Sequence, residues 1–393
     1  MNKVYIVAAK RTPIGKFNGS LSAFTAAELG AKVMSAVIKQ SNLPPELIDQ
    51  VLMGNVLQAG QGQNPARKAS RIAGLPISVP AITVNDVCGS GLTSINMGMS
   101  LILSGQAECV LAGGMESMSN APYLLDRARF GYRMGNGILL DSMLEDSLVD
   151  SIGKYHMGVT AENIVEKYGI TRKQMDTYSV ESHKKATNAT DLGKFTNEIV
   201  ELEIATREGT SIISKDEGIR ENSSVENLSK LKGVFKDEGT VSAGNSSSIN
   251  DGAAAVLMVS ESLAEKYGLT PLVEVLDSAI VGLEPEFMGL GPVYAIRKLL
   301  AQNNLEVSDI DIFELNEAFA SQSIACSQEL SIDAQKLNPK GGAIALGHPV
   351  GASGSRILTT LIYEMLENNA KLGVASLCVG GGMGISTLLR AIS

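Results

Sequence analysis

The stretch ITVNDVCGSGLTSI (residues 82–95) passes from a short apolar run, through a glycine turn, into a helical repeat. Ile82–Val84 reads as a strand and Cys88-Gly-Ser-Gly91 as a tight turn. Leu92, Ile95, Met99, Ile102 and Leu103 then fall on one helical face. A second stretch, IALGHPVGASG (residues 344–354), repeats these events: strand-like Ile344–Leu346, a glycine turn at His348–Gly354, and a helix face of Ile357, Leu358, Leu361, Ile362 and Met365. Cys88 and His348 are 260 positions apart. The match extends outward in order. Strand Val51–Met53 leads to Asn55, as strand Ile310–Phe313 leads to Asn316. Both helices run on into apolar strands that end in Gly-Gly-Met, at Gly113–Met115 and Gly381–Met383. Four matches in one order predict a duplicated βα unit, and so an α/β protein of two similar halves.

Between these halves the composition changes. Residues 119–249 carry 36 of the 75 charged residues, in only 131 of 393 positions. A charged insertion in a more apolar scaffold follows. The expected division is residues 1–118 plus 250–270 for the first half, 119–249 for the insertion and 271–393 for the second half.

Composition excludes several functions. Four cysteines with no C-x-x-C spacing argue against a disulfide framework, a zinc ribbon or a thioredoxin motif. Three scattered histidines make a histidine-built metal centre an unfavoured reading, so no metal is expected. Net charge is −9, from 33 basic and 42 acidic residues, which argues against nucleic acid as a partner. No apolar run reaches the roughly 18 residues of a membrane span. A cytoplasmic protein with no membrane partner is expected.

Chemistry concentrates at the matched turns. Cys88 stands where a strand gives way to a helix, and unpaired amides at that helix end favour a thiolate. Taken alone, a cysteine before glycine is more often a small buried residue. His348 holds the equivalent turn, so a pseudo-twofold would bring the two together as nucleophile and base. Cys378 ends the apolar strand Gly373–Val379, ahead of Gly380-Gly-Gly382, where amides are free to meet a substrate. A buried strand cysteine is the competing reading there, and it is the preferred one for Cys109 and Cys326. Asn316 would orient a water or polarise an oxygen, though a helix cap is the commoner fate of such a residue. A phosphate loop, a dinucleotide fingerprint and a serine-hydrolase elbow each fail on their spacing.

With these residues placed, the chain resembles the thiolases, and among them the biosynthetic acetyl-CoA acetyltransferases. The likeness rests on Val4–Phe17 (VYIVAAKRTPIGKF), Asn85–Ile95 (NDVCGSGLTSI), Gly113–Tyr123 (GGMESMSNAPY), Asn316–Phe319 (NEAF), Gly341–Gly354 (GGAIALGHPVGASG) and Cys378–Gly384 (CVGGGMG). It covers essentially the whole chain. It implies thiolase-like duplicated βαβαβ halves in five layers (α-β-α-β-α) with an inserted loop domain. It also implies condensation of two acetyl-CoA to acetoacetyl-CoA and CoA, with no cofactor beyond the CoA of the substrate, in a homotetramer.

The same resemblance implies the roles. Cys88 would carry the acetyl group, His348 would activate it, and Cys378 would exchange protons with the departing thiol and the second substrate. Asn316 and His348 would form one oxyanion hole, and the amides of Cys88 and Gly380 the other. Arg220, Leu231, Phe235, Ala243, Ser247 and His156 would hold CoA, while Met157, Met288 and Phe319 would wall a small acyl pocket. One departure stands out: the run Asn245-Ser-Ser-Ser-Ile-Asn250 replaces the family's Asn-Ala-Ser-Gly-Leu-Asn. The rival readings are a degradative 3-ketoacyl-CoA thiolase for longer chains, a decarboxylating ketoacyl synthase, and a non-catalytic CoA or lipid carrier.

Overall fold

The computed structural model describes residues 3–206 and 209–392. Nine strands build the main sheet: β1 (Val4–Arg11), β2 (Gln50–Gly54), β3 (Ala81–Val84), β4 (Cys109–Ser117), β5 (Asn250–Ser260), β6 (Val273–Gly282), β7 (Ile312–Leu315), β8 (Leu372–Val379) and β9 (Met383–Ala391). The two-residue strand Gly15–Lys16 pairs with β5 as a tenth. Eight helices matter to the architecture: α1 (Ala26–Ser41), α2 (Pro65–Ile72), α3 (Ser90–Leu103), α4 (Met157–Tyr168), α5 (Arg172–Asp191), α6 (Gly291–Gln302), α7 (Ala320–Leu330) and α8 (Ser353–Asn368).

The strand order is β7-β8-β9-β6-β1-β5-β4-β2-β3. Each half has a parallel pair (β2 with β4, β7 with β8) followed by two antiparallel neighbours. The halves join edge to edge where β1 meets β6 antiparallel, through Val4↔Val275, Tyr5↔Glu274 and Ile6↔Val273. Because β1 and β6 are equivalent first strands, antiparallel contact between them is what a pseudo-twofold axis requires.

Five layers result. Helices α3 and α8 lie in the middle, and their Leu92, Ile95, Met99, Ile357, Leu361 and Ile362 share one core with strand residues of both halves. Helices α1 and α2 cover the outer face of the first half. Helices α6 and α7 cover that of the second. Strands β4 and β5 are buried at every position, which is why they read as continuous apolar runs instead of alternating ones. Local signals agree with these packings: Thr25 and Glu28 form a capping box that starts α1, and Thr171 with Gln174 does the same for α5.

The two central helices meet backbone to backbone at their amino ends. A Cβ on Gly91 would fall 2.8 Å from the Ser355 nitrogen, and one on Gly354 would fall 2.3 Å from the Leu92 nitrogen. Only glycine at both positions lets the helices approach this closely, and that approach carries the Cys88 and His348 turns to one place.

Three sequence expectations are corrected. Residues Ile344–Leu346 are not a strand; Ala343–Leu346 is a helical turn. The amide of Gly342 donates to Ser182 Oγ and that of Ile344 to the Glu317 carboxylate, so the amides here are held by side chains instead of a ladder. The place of β3 in the second half is held only by a single parallel bridge, Phe313↔Leu337. Strand β7 begins at Ile312 because Val307–Asp309 coils and Ile310 closes that coil onto Val307. Leu103 is 46% exposed, since it lies a full 100° around α3 from buried Ile102.

The charged segment 119–249 contains the hairpin Tyr123–Leu125 and Leu139–Asp141, helices α4 and α5, and the strands Leu202–Thr206 and Gly209–Ile213. Among the described residues no helix is long and apolar enough to cross a membrane.

Candidate active site

A cavity of about 500 Å³ opens where the two glycine turns meet the charged segment. Cys88, His348 and Cys378 all line it, together with Met288, Phe319 and Met157. The chain geometry that presents Cys88 is strained. Val87 has φ +45°, a left-handed conformation that a β-branched residue seldom adopts. Local bonds hold it there: Ser90 Oγ accepts from the Asp86 amide and donates to the Val87 carbonyl, and Thr93 donates to the Asp86 carboxylate at 2.6 Å.

The Gly380 amide and the amide of Cys88 itself favour the charged form of the Cys88 sulfur. Loss of water around the thiol outweighs them and pushes its pKa up to about 11. The thiol is therefore protonated in the resting protein, contrary to the thiolate that its helix position suggests. Cys378 is wholly buried, and burial, together with the neighbouring Cys88, raises its pKa well above the usual thiol value. Cys109 and Cys326 are buried outside the cavity.

His348 is held at three points. Its amide donates to Asn250 Oδ1 at 2.9 Å, its Nδ1 lies 2.5 Å from Ser353 Oγ, and its Nε2 faces Asn316 Nδ2 at 3.4 Å. Burial, aided by the nearby Arg356 charge, lowers its pKa to about 4, so the ring is neutral at physiological pH. Asn316 does not reach the cavity surface. It sits fully buried behind His348, and its Oδ1 has no partner among the described residues. The next residues of the His348 turn are pinned by Glu116, whose carboxylate accepts from the amides of Gly351 (3.0 Å) and Val56 (2.9 Å) and from Asn55 Nδ2 (2.7 Å).

The mouth of the cavity comes from the charged segment and its flanks. His156, Arg220, Phe235, Ala243 and Ser247 line it, as the resemblance implies. The His156 and Phe235 rings stack with centroids 4.7 Å apart, and Phe235 meets Phe319 edge-on. His156 Nδ1 accepts from the Gly158 amide at the start of α4, leaving its other nitrogen as the donor. Leu231 is the exception among these residues. It lies outside the main cavity, in a shallow recess shared with Arg220.

The altered serine run also becomes interpretable. Ser246 Oγ donates to the Ser242 carbonyl and Ser248 Oγ to Asn250, whereas the Ser247 hydroxyl makes no hydrogen bond among the described residues. Of the three, Ser247 is the one left to meet a ligand.

Several residues that shape the site gave no sequence signal of their own. Ser353, Asn250 and Glu116 position His348, and His183, Lys16 and Leu148 line the cavity. Glu116 alone was detectable, as a charge inside an otherwise apolar strand. Among the described residues, no group of three or more His, Cys, Asp or Glu is placed to hold a metal ion.

The chain and its fold are similar to those of known proteins. The thiolase N-terminal domain model matches residues 4–262 and the thiolase C-terminal domain model matches residues 269–391. A probable acetyl-CoA acyltransferase of Staphylococcus aureus (strain NCTC 8325 / PS 47) is 51% identical over 390 residues, 99% of each chain. The crystal structure of the Bacillus anthracis acetyl-CoA acetyltransferase superposes with a TM-score of 0.98 at 40% identity, covering 100% of this chain and 99% of that one. Human mitochondrial 3-ketoacyl-CoA thiolase superposes with a TM-score of 0.97 at 42% identity, with the same coverage.

Proposed function

The chain belongs to the thiolase family of acyltransferases, and on that premise we propose that it is an acetyl-CoA C-acetyltransferase, joining two acetyl-CoA into acetoacetyl-CoA and CoA. The observation that carries this reading is the convergence of Cys88, Cys378 and His348 on one cavity.

The protons balance over two half-reactions. Cys88 attacks the acetyl carbonyl as its proton passes to His348 Nε2. The carbonyl oxygen gathers charge between the Cys88 and Gly380 amides, and CoA departs with the proton of Cys378. The Cys378 thiolate then takes a methyl proton from the second acetyl-CoA. The resulting enolate oxygen is met by protonated His348 and by a water that Asn316 holds beside it. Attack on the acetyl-cysteine expels the Cys88 sulfur, which recovers its proton from His348. Such preorganised donors are typically worth about 3–4 kcal/mol each in the barrier. The high resting pKa of Cys88 fits this scheme, because proton transfer accompanies attack and no standing thiolate is needed.

In the same reading, Arg220, Leu231, Phe235, Ala243, Ser247 and His156 hold CoA on the inserted segment 119–249. Buried Met157, Met288 and Phe319 close the acyl end. No cofactor or metal is assigned to the chemistry, and activity should survive exhaustive chelation. A homotetramer in the cytoplasm belongs to this reading too, and sedimentation velocity tests the assembly.

Incubation with acetyl-CoA followed by intact mass measurement decides between an enzyme and a passive CoA carrier. One acetyl group should appear on the wild-type chain and be lost in Cys88→Ala. An unmodified wild-type chain would refute the mechanism. Likeness to a 3-ketoacyl-CoA thiolase keeps the longer-chain reading in view. Thiolysis rates on acetoacetyl-CoA and on a long-chain ketoacyl-CoA separate the two, a long-chain preference favouring the rival.

A further inference from the structure

A neutral imidazole carries one hydrogen on two nitrogens, so only one tautomer of His348 can take a proton at Nε2. What surrounds each nitrogen selects it. On one side, Nδ1 lies 2.5 Å from Ser353 Oγ, in the first turn of α8. That hydroxyl has a single hydrogen, and it lies 2.9 Å from the Pro349 carbonyl, the acceptor one turn back. A hydroxyl that donates to Pro349 offers Nδ1 only lone pairs, so the ring hydrogen sits on Nδ1. On the other side, Nε2 faces the amide nitrogen of Asn316, itself a donor. Both neighbours ask for the same tautomer. The opposite one would set an Nε2 hydrogen against the amide hydrogens of Asn316.

We propose that Ser353 is the positioning residue that fixes His348 in its Nδ1–H tautomer, leaving the Nε2 lone pair to take the Cys88 proton. The proposal rests on the reading of His348 as the base for Cys88.

A hydroxyl in this place has a consequence that a carboxylate would not. In a Ser-His-Asp arrangement the acid both orients the ring and stabilises its cation. Ser353 orients the ring but adds no negative charge. The charge that acts on the ring is the guanidinium of Arg356, one turn along α8 from Ser353 and itself 3.9 Å from Glu314. The protonated ring is consequently a strong acid, suited to return its proton when the enolate has attacked. Main-chain restraint is independent of this contact, because Asn250 and Glu116 hold the turn from the other half. Loss of the hydroxyl therefore frees the ring tautomer without freeing the loop.

The test compares wild type, Ser353→Ala, Ser353→Thr and His348→Asn. Single-turnover acetylation of Cys88 should slow by about 10–100-fold in Ser353→Ala, a part of the ~10²–10⁴-fold typical of a positioned base. The KM for acetyl-CoA should stay within about twofold, and Ser353→Thr should recover most of the rate. The chain has three histidines, so ¹⁵N spectra assign His348 by difference from His348→Asn. Wild type should show the hydrogen on Nδ1, and Ser353→Ala a mixture. Acetylation at the wild-type rate in Ser353→Ala, or an Nε2 hydrogen in wild type, overturns the proposal. If His348→Asn also acetylates at the wild-type rate, the premise that His348 is the base fails instead. Should Ser353→Ala not fold, the wild-type spectrum decides alone.

Discussion

Asn316 Nδ2 lies 3.4 Å from Nε2 of His348, while its Oδ1, fully buried, has no partner among the described residues. The two residues arrive from different directions: Asn316 directly follows β7, and His348 is in the glycine turn before α8. A buried amide oxygen without a partner costs roughly 1–3 kcal/mol, so its retention points to a use outside the resting chain. Asn316→Ala should lower kcat by about 10²–10³-fold, the usual cost of one oxyanion donor, with KM for acetyl-CoA little changed. Steady-state rates of condensation check this; equal losses in kcat and affinity would contradict it.

The two cavity thiols should separate by the step they serve. Cys88→Ala should accept no acetyl group at all. Cys378→Ala should still accept one, more slowly, yet turn over at less than about a hundredth of the wild-type rate, since no base remains for the second substrate. Intact mass and steady-state assays on the same samples distinguish the patterns.

Resting Cys88 should alkylate slowly near neutrality. With its pKa pushed up to about 11 by burial, the thiolate fraction rises only as pH climbs toward that value. The iodoacetamide rate should therefore grow steadily through pH 7–10 without a plateau. A plateau beginning near pH 7 would show a standing thiolate.

Glu116 ties the His348 turn to stability. Burial lifts its pKa from 4.5 to about 7, against the pull of the Val56, Leu57 and Gly351 amides. Between those values the folded chain keeps a proton that the unfolded chain has released. The associated stability is complete below about pH 4.5 and is lost as pH rises to about 7. Relative to Glu116→Gln, wild type should lose up to about 3 kcal/mol over that range. Denaturant unfolding of both chains at pH 5, 6 and 7.5 measures the difference, and parallel curves would exclude the effect.

Acyl length should respond to the buried wall. Met288→Ala, which removes a side chain 3% exposed at the cavity, should raise the ratio of six-carbon to four-carbon ketoacyl thiolysis by about 10-fold. That is the discrimination one or two methylenes usually provide. Stability should fall by about 2–4 kcal/mol as the cavity opens. An unchanged ratio would move the length limit elsewhere.

The duplication was legible because glycine turns leave a positional trace: Cys88 and His348 stand at matched points of two matched runs. What the pattern missed was decided by tertiary contacts. Ile344–Leu346 has the composition of a strand, but Glu317 and Ser182 hold its amides, and both lie far off in the chain. Thiol chemistry was misjudged for a related reason. A helix end can be read from sequence, whereas the loss of water that raises the Cys88 pKa is set by residues from both halves. Ser353 went unnoticed because one serine in a glycine-rich turn says nothing about the ring it will face.

The edge-to-edge contact between β1 and β6 bears on how the chain comes together. In the main sheet, β1 has two neighbours, β5 and β6, which begin at Asn250 and Val273. Strand β1 therefore waits through about 270 residues of synthesis before its ladder is complete. At roughly 5–20 residues per second, that is a delay of tens of seconds. During it, the apolar run Val4–Ala9 has no sheet partner. Long-range pairing of this kind makes for slow folding and early exposure of sticky surface. Assembly of the molecule is thus timed by its middle, and dependence on chaperones during synthesis is the expected result.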